Sequence, residues 1–415
     1  MIATALTSLR RTLLCACALG AAALLLWPAP PAAAKPAAKP EAAGKSEGDF
    51  TRFLDGLWPA ARAAGISREV FDGALRGVTP DPKVIALSRK QAEFSRPIWD
   101  YVNGAVSAQR ISKGRAAGQE WDAVFDRAER RFGVPREVVL AVWGMESGFG
   151  ANTGGMSVIR SLATLAFVRH RGDFFRGELI QALRIIQDGH ITREGMKGSW
   201  AGAMGQTQFM PSSYAAFALD EDGDGHPNIW TSVPDALAST AHYLHQKGWK
   251  AGLPWVVEVA LPGTLDFSVP RRGFADWAAM GVRRADGKAL PNSGDAALFM
   301  PTGVRGPAFL VGDNFEVIRA YNSSDAYALG VGLLANRIGG GGPLARAWPI
   351  SEPALSHREK EEVQRRLSTL GLYKGEADGR HGTITRDAIR TFQLRSGLVA
   401  DGYADIAVLK ALRGK

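Results

Sequence analysis

The sequence predicts a mainly α protein with a small β-containing insertion and a small three-helix unit at its C-terminal end. Three observations carry that expectation. Over residues 50–245 apolar side chains recur at helical spacing, as in Trp121-Asp122-Ala123-Val124-Phe125 with Ala128, and from Leu179 and Ile180 through Leu183 to Ile186. The period then changes, and residues 255–261 and 307–311 read as strands among Gly/Pro turns. Helical spacing resumes over 314–321 and 326–338, and again beyond a boundary made by Gly339 to Gly342 with Pro343, Pro349 and Pro353.

The first 34 residues read as an export signal. Arg10 and Arg11 form the charged start, residues 12–27 are apolar, Pro28-Ala29-Pro30-Pro31 breaks the run, and Ala32-Ala33-Ala34 offers a small-residue cleavage site. A membrane anchor is the alternative, but the run is short for a span and lacks a flanking charge. Both cysteines, Cys15 and Cys17, fall inside this segment, so the mature chain has no thiol for disulfides or metal ligation. Lipid modification of Cys17 is a further alternative, weakened by the little apolar sequence before it. Residues 35–48 are rich in Ala, Pro and Lys and read as a disordered tether.

The chain carries 50 Lys+Arg against 41 Asp+Glu, a net +9. Removal of Arg10 and Arg11 leaves 48 against 41, a net +7. A moderately basic exported protein suits an anionic polymer of the cell envelope. No basic stripe interleaved with aromatics and no nucleic-acid motif is present, so nucleic acid is not an expected partner.

One acid stands out. Trp143-Gly144-Met145-Glu146-Ser147-Gly148-Phe149-Gly150 closes an apolar helix that opens after Pro135, a residue tolerated in a first turn. Val139, Val142, Trp143 and Glu146 share one side, so the carboxyl lies in the buried stripe. It also sits at the helix C-terminus, where free carbonyls disfavour an anion. Burial and that dipole both raise the pKa, towards an acid able to donate a proton near neutral pH. The plainer alternative is a Glu that caps or pairs beside a surface turn.

Beyond the Gly/Pro linker at 339–354, residues 360–370 form an amphipathic helix with Val363, Leu367 and Leu370 on its apolar side. Helices over 387–395 and 405–412 follow. Asp378-Gly379 and Asp401-Gly402 trail Leu372 and Leu398 respectively, a weak internal duplication. A unit this small reads as a binding module.

The Glu146 segment resembles the catalytic segment of lytic murein transglycosylases of the B type. Ser199-Trp200-Ala201-Gly202-Ala203-Met204-Gly205-Gln206-Thr207-Gln208-Phe209-Met210-Pro211-Ser212-Ser213 and Tyr321-Asn322-Ser323-Ser324-Asp325-Ala326-Tyr327-Ala328 are two further matching blocks, and the resemblance runs over 50–338. Residues 355–412 resemble the small peptidoglycan-binding domain of many envelope hydrolases. Its matching positions include Val363, Gln364, Leu367, Asp378, Gly379, Ile389, Phe392, Gln393, Asp401 and Gly402. The chain then divides into a signal peptide (1–34), a linker (35–48), a catalytic domain (49–338), a second linker (339–354) and a peptidoglycan-binding domain (355–415).

The resemblance implies a lysozyme-like helical domain that cuts the β-1,4 bond between N-acetylmuramic acid and N-acetylglucosamine without consuming water, leaving a 1,6-anhydro end. Ordinary glycosidases need two carboxylates, yet no second acid accompanies Glu146 within the matched blocks. One residue acting as acid and then base is sufficient if its pKa lies near the working pH. The resemblance further implies that Ser199, Gln208, Phe209, Tyr321, Asn322 and Tyr327 line the sugar cleft, where amides and hydroxyls meet sugar polar groups and aromatic faces pack on pyranose rings. The alternative is that Gln208 and Asn322 cap helices while the tyrosines fill core. Arg171 is a weaker candidate for a muramyl or peptide carboxylate, against the reading of a solvated surface cation.

Asp220-Glu221-Asp222-Gly223-Asp224-Gly225-His226 has oxygen ligands at alternate positions and the turn glycine of a calcium loop. His226 offers its backbone carbonyl. Thr231 occupies the place of the closing Glu; relatives carry a later acid, and Asp235 is the candidate, one residue out of register. The expected ion is a structural calcium, with no cofactor required for chemistry; an acidic solvated turn is the alternative. The expected partners are glycan strands and cell-wall enzyme complexes, in the periplasm, with no membrane span after signal cleavage. Rival readings are a lysozyme-type muramidase using water, a non-catalytic wall-binding scaffold and, more remotely, a calcium-dependent regulator.

Overall fold

The structure, a computed structural model, describes residues 47–90, 97–267, 270–351 and 353–414. The signal peptide, both cysteines and residues 35–46 of the expected tether lie outside the described residues. The tether's last two residues do not: Glu47 and Gly48 already belong to the helix Glu47–Asp55.

Helices dominate, as expected, and the centre of the main core is the Glu146 helix, Arg136–Ser147. Pro135 is its N-cap residue, one position before the first turn, and Gly148 ends it in the left-handed conformation at φ 62°. The expected one-sided stripe is an understatement. Val138, Val139, Leu140, Ala141, Val142, Trp143 and Gly144 are all buried, because this helix is packed by Ala108–Glu120, Val233–Gln246 and Asp325–Ile338 on different sides. The last of these, the Tyr327 helix, is capped by Ser324, whose Oγ accepts the Tyr327 N–H over 3.3 Å. Its Gly330 permits close approach to the Ile98–Ala105 helix: a Cβ there meets Ala105 at 3.1 Å.

A two-stranded antiparallel ladder, β1 (Met156–Ser157) with β2 (Lys197–Gly198), ties the segment after the Glu146 helix to the Ser199 block. Single bridges from Gly198 to Met204 and from Met204 to Phe209 fold that block into a compact loop.

The insertion is a five-stranded antiparallel sheet made of β3 (Val256–Ala260), β4 (Arg271–Gly273), β5 (Arg283–Arg284), β6 (Asp295–Phe299) and β7 (Ala308–Gly312), in spatial order β4-β6-β7-β3-β5. Alternation divides it between two cores. Val257, Val259, Leu298 and Leu310 face a local cluster around Phe274 and Trp277, while Val256, Phe299, Phe309 and Val311 face the helical core. Strand β7 is therefore buried on both sides, which explains its unbroken apolar run.

The C-terminal unit has helices His357–Thr369, Thr383–Arg395 and Ile406–Arg413 around its own core. The weak duplication has a physical counterpart. Gln364 Oε1 accepts the Gly379 N–H (2.7 Å) while its amide donates to Asp378 Oδ1 (3.0 Å). Gln393 repeats the pattern with Gly402 N–H (2.8 Å) and Asp401 Oδ1 (2.7 Å). Each glutamine thus holds one Asp-Gly turn, and both glycines sit at positive φ. No helix among the described residues is long and apolar enough to cross a membrane.

Candidate active site

Glu146 lies one residue from the end of its helix, and burial raises its carboxyl to about 7. A single hydrogen bond opposes that rise: Tyr327 Oη donates to Glu146 Oε1 over 2.6 Å and favours the anion. No carboxylate is among the groups that set its proton affinity. The two other buried carboxylates among the described residues are committed elsewhere. Glu178 accepts from Ser212 N–H (2.9 Å) and Ser212 Oγ (2.7 Å). Asp235 accepts the backbone N–H groups of Glu221, Asp222 and Asn228.

The wall beside Glu146 is aromatic. The rings of Tyr321 and Tyr327 stack at 6.4 Å with 15° between planes, and Tyr321 Oη donates to the Thr207 carbonyl over 2.7 Å. Burial, and then the nearby Glu146, hold both phenols well above their ordinary range, so they act as neutral donors. Tyr101, from the Ile98–Ala105 helix, faces the same carboxyl and is pushed up to about 12, by burial first and Glu146 second. Nothing in the sequence marks Tyr101 for the site. It stands outside every matched block, and an aromatic on an amphipathic helix carries no signal of its own.

The Ser199 block is anchored to the Glu146 helix by Trp143, whose indole N–H donates to Gln206 Oε1 over 3.0 Å. Gly150, at φ 79°, allows this close fit; a Cβ there stands 2.6 Å from Gln206 Oε1. Gln208 holds an unfavourable left-handed backbone at φ 50°, and its amide donates to the carbonyls of Thr153 (3.0 Å) and Gly205 (2.9 Å). Ser199 Oγ accepts from Ala203 N–H (3.1 Å) and Ala201 N–H (3.3 Å).

Phe209 departs from the expected sugar-facing role. It is 2% exposed and packs on Tyr243 at 5.7 Å and Tyr321 at 5.9 Å, so it supports the aromatic wall from behind. Asn322 is exposed at the end of the helix Asp313–Tyr321, in extended backbone. Arg171 is exposed on the loop after Val158–Phe167, at φ 54° and two residues after the equally left-handed Arg169. Partial burial of its guanidinium and the like charge of Arg380 in the C-terminal unit lower its proton affinity.

In the acidic loop, carboxylate oxygens of Asp220, Asp222 and Asp235 lie within 4.8 Å of one another. Asp235 is fully buried, and burial, despite three N–H donors, raises its pKa. None of the three is in an ion pair among the described residues. Three converging carboxylates without a cationic partner fit a hard divalent cation. Asp224 departs from the expected ligand set, lying outside this cluster, whereas the carbonyl expected of His226 belongs to its backbone. Asp224 Oδ1 instead accepts the His226 N–H over 2.9 Å, and the His226 ring packs on His190 at 5.9 Å.

Comparison with known proteins gives the same picture. Residues 49–336 match the Transglycosylase SLT domain family, and residues 356–412 match the Putative peptidoglycan binding domain. The chain is 32% identical over 237 residues to the membrane-bound lytic murein transglycosylase B of Escherichia coli strain K12, a match covering 56% of this chain and 65% of that relative. The crystal structure of SltB3 from Pseudomonas aeruginosa in complex with NAG-NAM-pentapeptide is similar with TM-score 0.83 and 45% identity, over 88% of this chain and 99% of that one. The Escherichia coli lytic transglycosylase Slt35 in complex with calcium is similar with TM-score 0.59 and 29% identity, over 70% and 92% of the two chains. The chain accordingly belongs to the Transglycosylase SLT domain family, as a lytic transglycosylase related to the murein transglycosylases of the B type.

Proposed function

We propose that the protein cleaves the β-1,4 bond between N-acetylmuramic acid and N-acetylglucosamine in peptidoglycan and closes the muramyl residue on itself. The observation that carries this reading is Glu146, a buried carboxyl near 7 with no carboxylate partner among the described residues. In the first step Glu146 protonates the leaving glycosidic oxygen, and the substrate's own N-acetyl oxygen bonds to the anomeric carbon and takes up the positive charge. In the second, the C6 hydroxyl attacks that carbon, the N-acetyl oxygen leaves, and the hydroxyl proton returns to Glu146. The acid is regenerated and no water enters. Tyr327 holds Oε1 as acceptor, leaving the proton to the other oxygen, and stabilises the anion that exists between the two steps. Tyr321, Ser199, Gln208, Asn322 and Arg171 are the proposed sugar- and peptide-facing groups.

The C-terminal domain holds the enzyme on insoluble wall, raising its local concentration there. Asp220, Asp222 and Asp235 bind a structural calcium ion, a reading supported by their convergence and by the calcium complex of Slt35. Export by residues 1–34 to the periplasm fits a wall substrate.

Digestion of purified peptidoglycan by the mature chain, with Glu146→Gln beside it, tests the proposal by mass spectrometry. Muropeptides one water lighter than reducing-end products, absent with the variant, are expected. Reducing-end products instead make the enzyme a muramidase. Wall binding without any cleavage makes it a scaffold.

A further inference from the structure

The C-terminal domain is docked on the catalytic domain, and one of its contacts falls on the helix that serves Glu146. Arg386, in the helix Thr383–Arg395, pairs through Nη1 with Asp325 Oδ2, and its guanidinium lies 5.1 Å over the Phe299 ring of β6. The same Nη1 donates to the His381 carbonyl over 3.1 Å, which fixes the side chain's direction. Both partners are about one-fifth exposed, so the pair is shielded more than an ordinary surface bridge.

Asp325 is the first residue of the Tyr327 helix and stands two positions from Tyr327 in its opening turn. Ser324 caps that turn through the Tyr327 N–H, and Tyr327 reaches Glu146. A competing cation is close: Arg319 Nε lies 3.8 Å from Asp325 Oδ1 and is itself paired with Glu316. Without Arg386, Asp325 keeps Arg319 as its cationic neighbour among the described residues, at the other carboxylate oxygen.

We infer that Arg386 of the wall-binding domain is a positioning residue for the reaction: by holding Asp325 it sets the opening turn of the Tyr327 helix, and through it the Tyr327–Glu146 contact. The inference rests on Glu146 as the acid and base. The wall-binding domain then does more than tether, because its docked position helps to set the proton donor. Two other contacts on the same seam do not touch the Tyr327 helix. Val304 N–H donates to Asp401 Oδ2 over 3.1 Å, and Arg305 pairs with Asp405 at 2.8 Å. They supply a control for docking alone.

The test measures cleavage of a soluble GlcNAc–MurNAc tetrasaccharide, which needs no wall, by the full mature chain across pH 5–9. Glu146→Gln identifies the basal reaction. For Arg386→Ala, kcat falls about tenfold with KM little changed, in line with the steep cost of misplacing a reacting group. The alkaline limb of kcat moves upward, because a loosened Tyr327 bond stabilises the Glu146 anion less; the groups facing that carboxyl are Tyr327, Tyr321 and Tyr101. Arg386→Lys restores part of kcat, Asp325→Asn repeats the loss, and the double variant Arg386→Ala/Asp325→Asn adds little to either. Arg305→Ala keeps the limb in place.

An Arg386→Ala enzyme with unchanged kcat and limb overturns the inference, as does an Arg305→Ala enzyme that shifts both equally. Should Arg386→Ala fail to fold, Arg386→Lys and Asp325→Asn decide by the same two readouts. Retained cleavage by Glu146→Gln refutes the acid assignment itself, a result separable from anything Arg386 does.

Discussion

Tyr327 Oη meets Glu146 Oε1 at 2.6 Å across 181 residues of sequence, and this bond opposes the burial that raises the carboxyl. Replacing Tyr327 by Phe removes the donor and leaves the apolar ring. The Glu146 pKa then rises further, so the alkaline limb of kcat moves to higher pH. The anion formed after proton transfer also loses its stabilising donor, a charged hydrogen bond worth about 1.5–3 kcal/mol, so kcat falls roughly ten- to a hundredfold. A pH–rate profile of Tyr327→Phe on the soluble tetrasaccharide checks both effects. A limb that stays near pH 7 assigns the proton affinity to burial alone.

Glu146 also makes folding stability depend on pH. Its carboxyl titrates at about 7 in the folded chain against 4.5 in the unfolded one. Between those values the unfolded chain has released a proton that the folded chain keeps, so stability is full below 4.5 and declines as pH rises through 7. The whole decline is about 3 kcal/mol. Glu146→Gln does not titrate, and it is expected to gain stability relative to the parent as pH rises from 4 to 8. Urea denaturation of both proteins at the two pH values measures the difference. Parallel behaviour of the two shows a carboxyl that is solvated in the folded state.

The helical class, the sheet and the three sequence blocks of the site are legible because each rests on local pattern: 3.6-residue spacing, two-residue alternation, and runs such as the one ending Gly148-Phe149-Gly150. What the chain does not display locally is partnership. The Glu146 helix reads as amphipathic because its flanking helices come from distant segments, and only folding shows that they cover all sides of it. Tyr101 carries no motif and joins the site through the close helix approach at Gly330. Phe209 lies beside Gln208 in sequence and shares its block, yet the bridge from Met204 to Phe209 folds the block back and the ring is buried in the core.

The acidic loop makes a thermal prediction. Asp220, Asp222 and Asp235 converge within 4.8 Å, and burial of Asp235 holds part of that charge in an unfavourable setting. A divalent cation relieves this. Calcium at a hundredfold excess over its dissociation constant stabilises the fold by about 2.7 kcal/mol, read as a rise in Tm that magnesium does not reproduce. Asp235→Asn abolishes the rise. Asp224→Asn keeps most of it, because Asp224 is turned towards the His226 N–H. An unchanged Tm with calcium makes the loop a self-satisfied turn.

Phe209 and Tyr321 separate support from contact. Phe209 is 2% exposed and packs on Tyr243 and Tyr321, so Phe209→Ala opens a cavity behind the aromatic wall and costs about 3–5 kcal/mol of stability. Phe209→Leu fills most of that space and loses less. A sugar platform behaves otherwise, with KM rising and stability intact. Tyr321→Phe leaves the Thr207 carbonyl without its 2.7 Å donor, at a cost of about 1–3 kcal/mol, while the ring stacked on Tyr327 remains. Chemical denaturation alongside kcat and KM for the three variants assigns each ring. Phe209→Leu with near-parent kinetics and Phe209→Ala with a large stability loss identify Phe209 as the buttress of the wall that Tyr321 and Tyr327 form.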